Sequence, residues 1–67
     1  MPDHTPDELR DAQHALASTL AKCEKALAVM RPEAKSQRTL LERRISALQI
    51  ALDLIANELE SRQDATV

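Results

Sequence analysis

Residues 40 to 59 read LLERRISALQIALDLIANEL, and this run carries more apolar side chains than a single neighbouring helix can cover. At about 100° per residue, Leu41, Ile45, Leu48, Leu52, Ile55 and Leu59 form one stripe. Leu40, Ala47, Ile50, Ala51 and Leu54 form a second row beside it. Together the two rows span roughly 240° of the circumference in the middle of the helix, well beyond the stripe of an ordinary surface helix. Glu42, Ser46, Gln49, Asp53, Asn57 and Glu60 are left for water, and their spacing of three and four keeps them on one line. The pattern predicts a central helix touched from two sides.

The chain around this run is short and biased in composition. Sixty-seven residues make at most one domain, and a chain of that size buries only about 60% of its unfolded surface, so its stability usually needs disulfides, a metal or self-association. With one Cys and two His, self-association is the available route. Gly, Trp, Tyr and Phe are all absent, and the abundance of Ala, Leu, Glu, Arg, Lys and Gln is that of long helices packed through aliphatic side chains. The expected fold class is all-α. A net charge of −2 gives no bulk pull towards nucleic acid or anionic membrane. The first residues, MPDHTPDEL, lack the apolar core of a secretory signal, and no run approaches the roughly 18 apolar residues of a membrane span. A cytoplasmic setting is expected; the lone thiol fits it but says little.

Upstream, Thr5-Pro6-Asp7-Glu8 reads as a helix start, with Thr5 as N-cap, Pro6 in the first turn and Glu8 reaching back. Leu9, Gln13, Leu16, Leu20, Cys23, Leu27 and Met30 then recur at alternating steps of four and three, a seam one side chain wide. The opposite face, Arg10, His14, Ala17, Ala21, Lys25 and Ala28, is too small and polar for another core. Pro32 interrupts the pattern and makes Arg31 the expected break. Continued unbroken, the first seam would put Arg44, Ala51 and Glu58 in core positions, so the phase changes across residues 31 to 36. Pro32 can open the second helix with Glu33 beside its positive end, or Ser36 can cap it. The expected domain is a single helical hairpin over residues 1–67: a first helix over 6–30, a turn over 31–35, a second helix over 36–62, and frayed tails at 1–4 and 63–67. The competing arrangement is one long helix kinked at Pro32, because no Gly or Asn marks a turn.

Charge is segregated along such a hairpin. Arg31, Lys35, Arg38, Arg43 and Arg44 lie at the turn end, and Asp3, Asp7, Glu8, Asp11, Glu58, Glu60 and Asp64 at the end with both termini. An antiparallel dimer would bring each basic end to a partner's acidic end. If two copies of the second helix cross near Ala51, Arg44 of one approaches Glu58 of the other. The expected assembly is an antiparallel four-helix bundle with an interface of Leu40, Arg44, Ala47, Ile50, Ala51, Leu54 and Glu58. Its layout resembles the ROP-type bundle, an RNA-binding regulator of plasmids. The resemblance is of architecture and implies no function.

Few residues suggest chemistry. Asp11 and His14 share a side of the first helix, but two ligands do not make a metal site, and His14 reads as a surface histidine. Cys23 sits in the seam, where a small apolar side chain suits the packing. Without Gly there is no phosphate-cradling loop, and no Ser/His/acid spacing recommends itself. No cofactor, metal or catalytic residue is expected. The cluster Arg31, Lys35, Arg38, Arg43 and Arg44 is the candidate nucleic-acid contact, diluted by Glu33 and Glu42 and lacking any aromatic to stack on a base. The functional expectation is a structural or regulatory protein–protein interaction module acting as a homo-oligomer, without a membrane partner. Its alternative is a nucleic-acid-binding regulator using the basic turn ends.

Overall fold

The computed structural model describes residues His4 to Asp64, with side chains as far as Arg62. Of the tails expected over residues 1–4 and 63–67, residues 1–3 and 65–67 lie outside the described residues, as do the side chains of Asp3 and Asp64. Two helices, α1 (Pro6–Ala28) and α2 (Lys35–Asp64), fold back on each other as a hairpin. The long kinked helix is therefore excluded.

The start of α1 is fixed by reciprocal capping. The Glu8 N–H donates to Thr5 Oγ1 at 3.1 Å while the Thr5 N–H donates to Glu8 Oε1 at 2.9 Å. Two of the donors that a helix leaves unmatched at its first turn are thereby satisfied. Pro6 adds a preset φ where its missing N–H costs nothing. The Thr5 N–H, then the Thr5 hydroxyl, and lastly nearby His4 hold the Glu8 carboxyl below the usual glutamate range. Asp7 also pairs with Arg10 at 3.2 Å.

The turn differs in detail from the sequence expectation. α1 stops at Ala28 rather than Met30: the Val29 N–H still makes an α-type bond to the Lys25 carbonyl at 3.3 Å, and the chain then tightens, the Met30 N–H donating to the Leu27 carbonyl at 3.2 Å. Arg38 Nη2 then reaches back to the Met30 carbonyl at 3.4 Å. Bonds of the shorter i→i−3 type and a basic side chain are both ordinary ways to satisfy a helix end. No described residue takes a positive φ, so the reversal needs no glycine. Neither proposed start of α2 is used. Pro32 and Glu33 are turn residues, and Ser36 lies inside the helix. The Ala34 N–H donates to the Arg31 carbonyl at 3.1 Å, and the Ala34 carbonyl accepts from the Arg38 N–H at 2.9 Å. Ala34 thus occupies the N-cap position without a side chain able to cap. The half-buried Ala34 and Arg38 continue the seam into the turn, so packing sets this boundary. At the other end α2 runs on to Asp64, two residues beyond the expected 62.

Between the helices, Leu9, Leu16, Leu20, Cys23 and Leu27 of α1 are half-buried, as are Leu41, Ile45, Leu48, Leu52, Ile55 and Leu59 of α2. The seam therefore falls on the residues its periodicity picks out. The strip Glu42, Ser46, Gln49, Asp53, Asn57 and Glu60 is exposed, as is the opposite face of α1. Yet no described residue is fully enclosed, since two helices alone cover each other on one side only. The radius of gyration is 15.3 Å, against about 11 Å for a compact chain of this length. The accessible surface is 5463 Å², whereas a compact monomer of this mass exposes about 4,200 Å². No described helix is long and apolar enough to cross a membrane.

Candidate interaction face

The second row of α2 stands open. Leu40 is 55% exposed, Ile50 57% and Leu54 64%; Ala47 is exposed and Ala51 half-buried. Large aliphatic side chains scattered singly over a surface need no explanation, but these recur on one face of one helix. Ala47 and Ala51 sit in the middle, where their small side chains allow another helix axis to approach to about 8 Å. Arg44 and Glu58 lie on the same face, towards its two ends. Glu58 Oε1 accepts from Arg62 Nε at 2.9 Å. That pair is partly exposed and follows the i,i+4 spacing, so it is worth only a few tenths of a kcal/mol.

At the turn end this face continues onto α1. Ala26 and Met30 of α1 and Gln37, Leu40, Leu41 and Arg44 of α2 line an open groove of about 390 Å³. The expected interface did not include any residue of α1. Its signal was available, because Ala12, Ala15, Thr19 and Ala26 follow one another at steps of three, four and seven and so share the side of α1 that borders the groove. The Thr19 hydroxyl donates to the Ala15 carbonyl at 2.9 Å, which leaves this side small and weakly polar.

The basic turn end is less concentrated than its sequence suggests. Arg31, Lys35, Arg43 and Arg44 are exposed, and the described ion pairs, His4–Glu8, Asp7–Arg10 and Glu58–Arg62, include none of them. Arg38, expected beside them as a nucleic-acid contact, is half-buried with its guanidinium turned to the Met30 carbonyl. Arg43 and Arg44 diverge by about 100° around α2. That pair therefore does not aim at one phosphate-sized point.

Elsewhere the chemistry is sparse. His14 is exposed beside a shallow groove of about 350 Å³ that it lines with Gln13, Ala17 and Leu52. Among the described residues no group of three His, Cys, Asp or Glu side chains is placed to hold a metal ion. Cys23 is a free, half-buried thiol within the seam. No protein-family model, curated protein or solved structure matches the chain.

Proposed function

We propose that this protein is a non-enzymatic structural or regulatory interaction module that acts as a homo-oligomeric helical bundle and presents that bundle to another protein. The observation that carries this reading is the open second row, Leu40, Ile50 and Leu54 about Ala47 and Ala51, on a hairpin in which no described residue is enclosed. We place it in the cytoplasm, a setting that suits a lone thiol. The reading needs no cofactor, metal or membrane.

The competing function is nucleic-acid binding through Arg31, Lys35, Arg43 and Arg44, and its electrostatics make it easy to separate. Phosphate contacts release counterions, so binding would fall steeply with salt and weaken as each arginine is neutralised. The deciding experiment is titration of labelled RNA and DNA at low and high salt, alongside capture of host components on the tagged protein. The interaction-module reading expects no salt-sensitive polynucleotide binding and a protein retained in the capture. Salt-sensitive binding abolished by neutralising these four residues would replace it with the nucleic-acid function.

A further inference from the structure

We infer that two copies of this chain dock antiparallel through α2 about a two-fold axis at the level of Gln49, setting Ala47 of each copy against Ala51 of the other and letting the Arg44 and Glu58 side chains lean towards each other. This rests on the homo-oligomer reading above and fixes its geometry.

The level of the axis follows from the face itself. Leu40, Arg44, Ala47, Ala51, Leu54 and Glu58 are spaced four, three, four, three and four, the seam of two helices packed side by side. In an antiparallel pair centred on residue 49, position 40 stands opposite 58, 44 opposite 54, and 47 opposite 51. All six positions then meet positions of the same face. Centred on Ala51 instead, Leu54 would be aimed at Leu48 and Ala47 at Ile55, both half-buried against α1. Only the former leaves the hairpin seam undisturbed.

Size and charge agree with this level. Leu54 is the most exposed large apolar residue of α2. It would stand opposite Arg44 and, because side chains lean towards the N-terminus of their own helix, cover the neighbouring Ala47 of the other copy. The same lean brings Arg44 towards position 40 and Glu58 of the other copy towards position 44, so the two charged groups converge. The Glu58 stem then lies by the groove that Leu40, Ala26 and Met30 form beside Arg44. Its bond to Arg62 occupies Oε1, and a carboxylate has lone pairs for a second donor. Ile50 of each copy falls within about 3 Å of the other's level on the side away from α1, closing the lower edge. A parallel pair would set Arg44 against Arg44 and Glu58 against Glu58, which charge repulsion opposes.

The test uses cysteine pairs in the full chain with Cys23→Ala as background. Ala47→Cys and Ala51→Cys chains are oxidised separately and as an equimolar refolded mixture, with mass followed by sedimentation and helicity by circular dichroism. Matching 47–47 positions would be offset by about 6 Å along the axis, beyond the ~3.8 Å Cβ separation of a disulfide. The mixture should therefore cross-link roughly tenfold faster than either variant alone. Dominant self-linking of Ala51→Cys would move the axis to residue 51. Self-linking of both variants would mean parallel packing, and a dimer that links in none of the three would use another surface; each overturns this geometry while leaving the homo-oligomer standing. A monomer throughout would overturn both. As an independent readout, Arg44→Glu and Glu58→Lys should each weaken self-association roughly tenfold at low salt, with the double reversal recovering part of the loss. Strictly additive losses would contradict the pairing.

Discussion

The two helices of the hairpin are held by different means. α1 carries nearly all its instructions locally: a reciprocal cap at Thr5 and Glu8, Pro6 in the first turn, Asp7 and Glu8 near the positive helix end, and Lys25 in the last turn. α2 begins on an alanine that cannot cap, has no acid in its first turn, and places Lys35 and Arg38 where the helix dipole disfavours cations. Yet α2 is the longer, 30 residues against 23. Local chemistry cannot be what makes it so. Helices in water draw most of their stability from the face they bury, and α2 carries an exposed apolar row beside its seam where α1 has the seam alone. The well-capped helix has one apolar face, and the poorly capped helix has a second that the hairpin leaves exposed.

This contrast can be broken most severely at the centre of the open face. Ala51→Glu would place a charge where Ala47 of a second copy is expected, costing several kcal/mol if it stays buried there, a large part of the stability of a domain this small. Circular dichroism and light scattering should show loss of both self-association and helicity. A variant that stays fully helical and self-associated would remove Ala51 from any interface.

A smaller loss is expected in the hairpin seam. Leu48→Ala should destabilise the protein by roughly 2 to 5 kcal/mol by emptying a packed position. Asp53→Ala, on the exposed strip, should change stability by no more than about 0.5 kcal/mol. Equal losses in denaturant titration would contradict the assignment of these two faces.

The seam was legible because its cause is local in sequence: a helix of fixed pitch turns the spacing of Leu41, Ile45, Leu48 and Leu52 into a stripe. The cap was legible because Thr5 and Glu8 are three residues apart. The start of α2 was not, since nothing in Ala34 or Lys35 signals a boundary. It is set by where Ala34 packs and by Arg38 reaching the Met30 carbonyl eight residues back. That contact also explains why an arginine that reads as a free surface cation is committed to the turn. The open row on α2 was readable from its breadth alone, whereas the small side of α1 that holds Ala26 was readable as a side but its place beside Leu40 and Arg44 follows only from how the helices sit together.

Effects at the cap should be smaller again. Thr5→Ala is expected to cost about 1 kcal/mol by unsatisfying the first turn of α1, with α2 retained. If α2 melted to the same degree, its independence from local signals would be in doubt.

The smallest effect is one of pH. The Glu8 carboxyl is held below its ordinary range chiefly by the Thr5 N–H, so its contribution is present in full above the unfolded glutamate pKa. It is lost as the pH falls through the lowered folded value. The helicity difference between wild type and Glu8→Ala should therefore shrink to nothing in acid. A difference unchanged by pH would mean that the carboxylate is not what secures the cap.

Most direct of all is sedimentation equilibrium combined with thermal melting across a dilution series of the wild-type chain. A second contact face on α2 requires a mass of at least twice the 7.5 kDa chain at high concentration, and a melting midpoint that falls on dilution as mass action dictates. A fully helical species of single-chain mass, with a midpoint independent of concentration, would contradict self-association through that face.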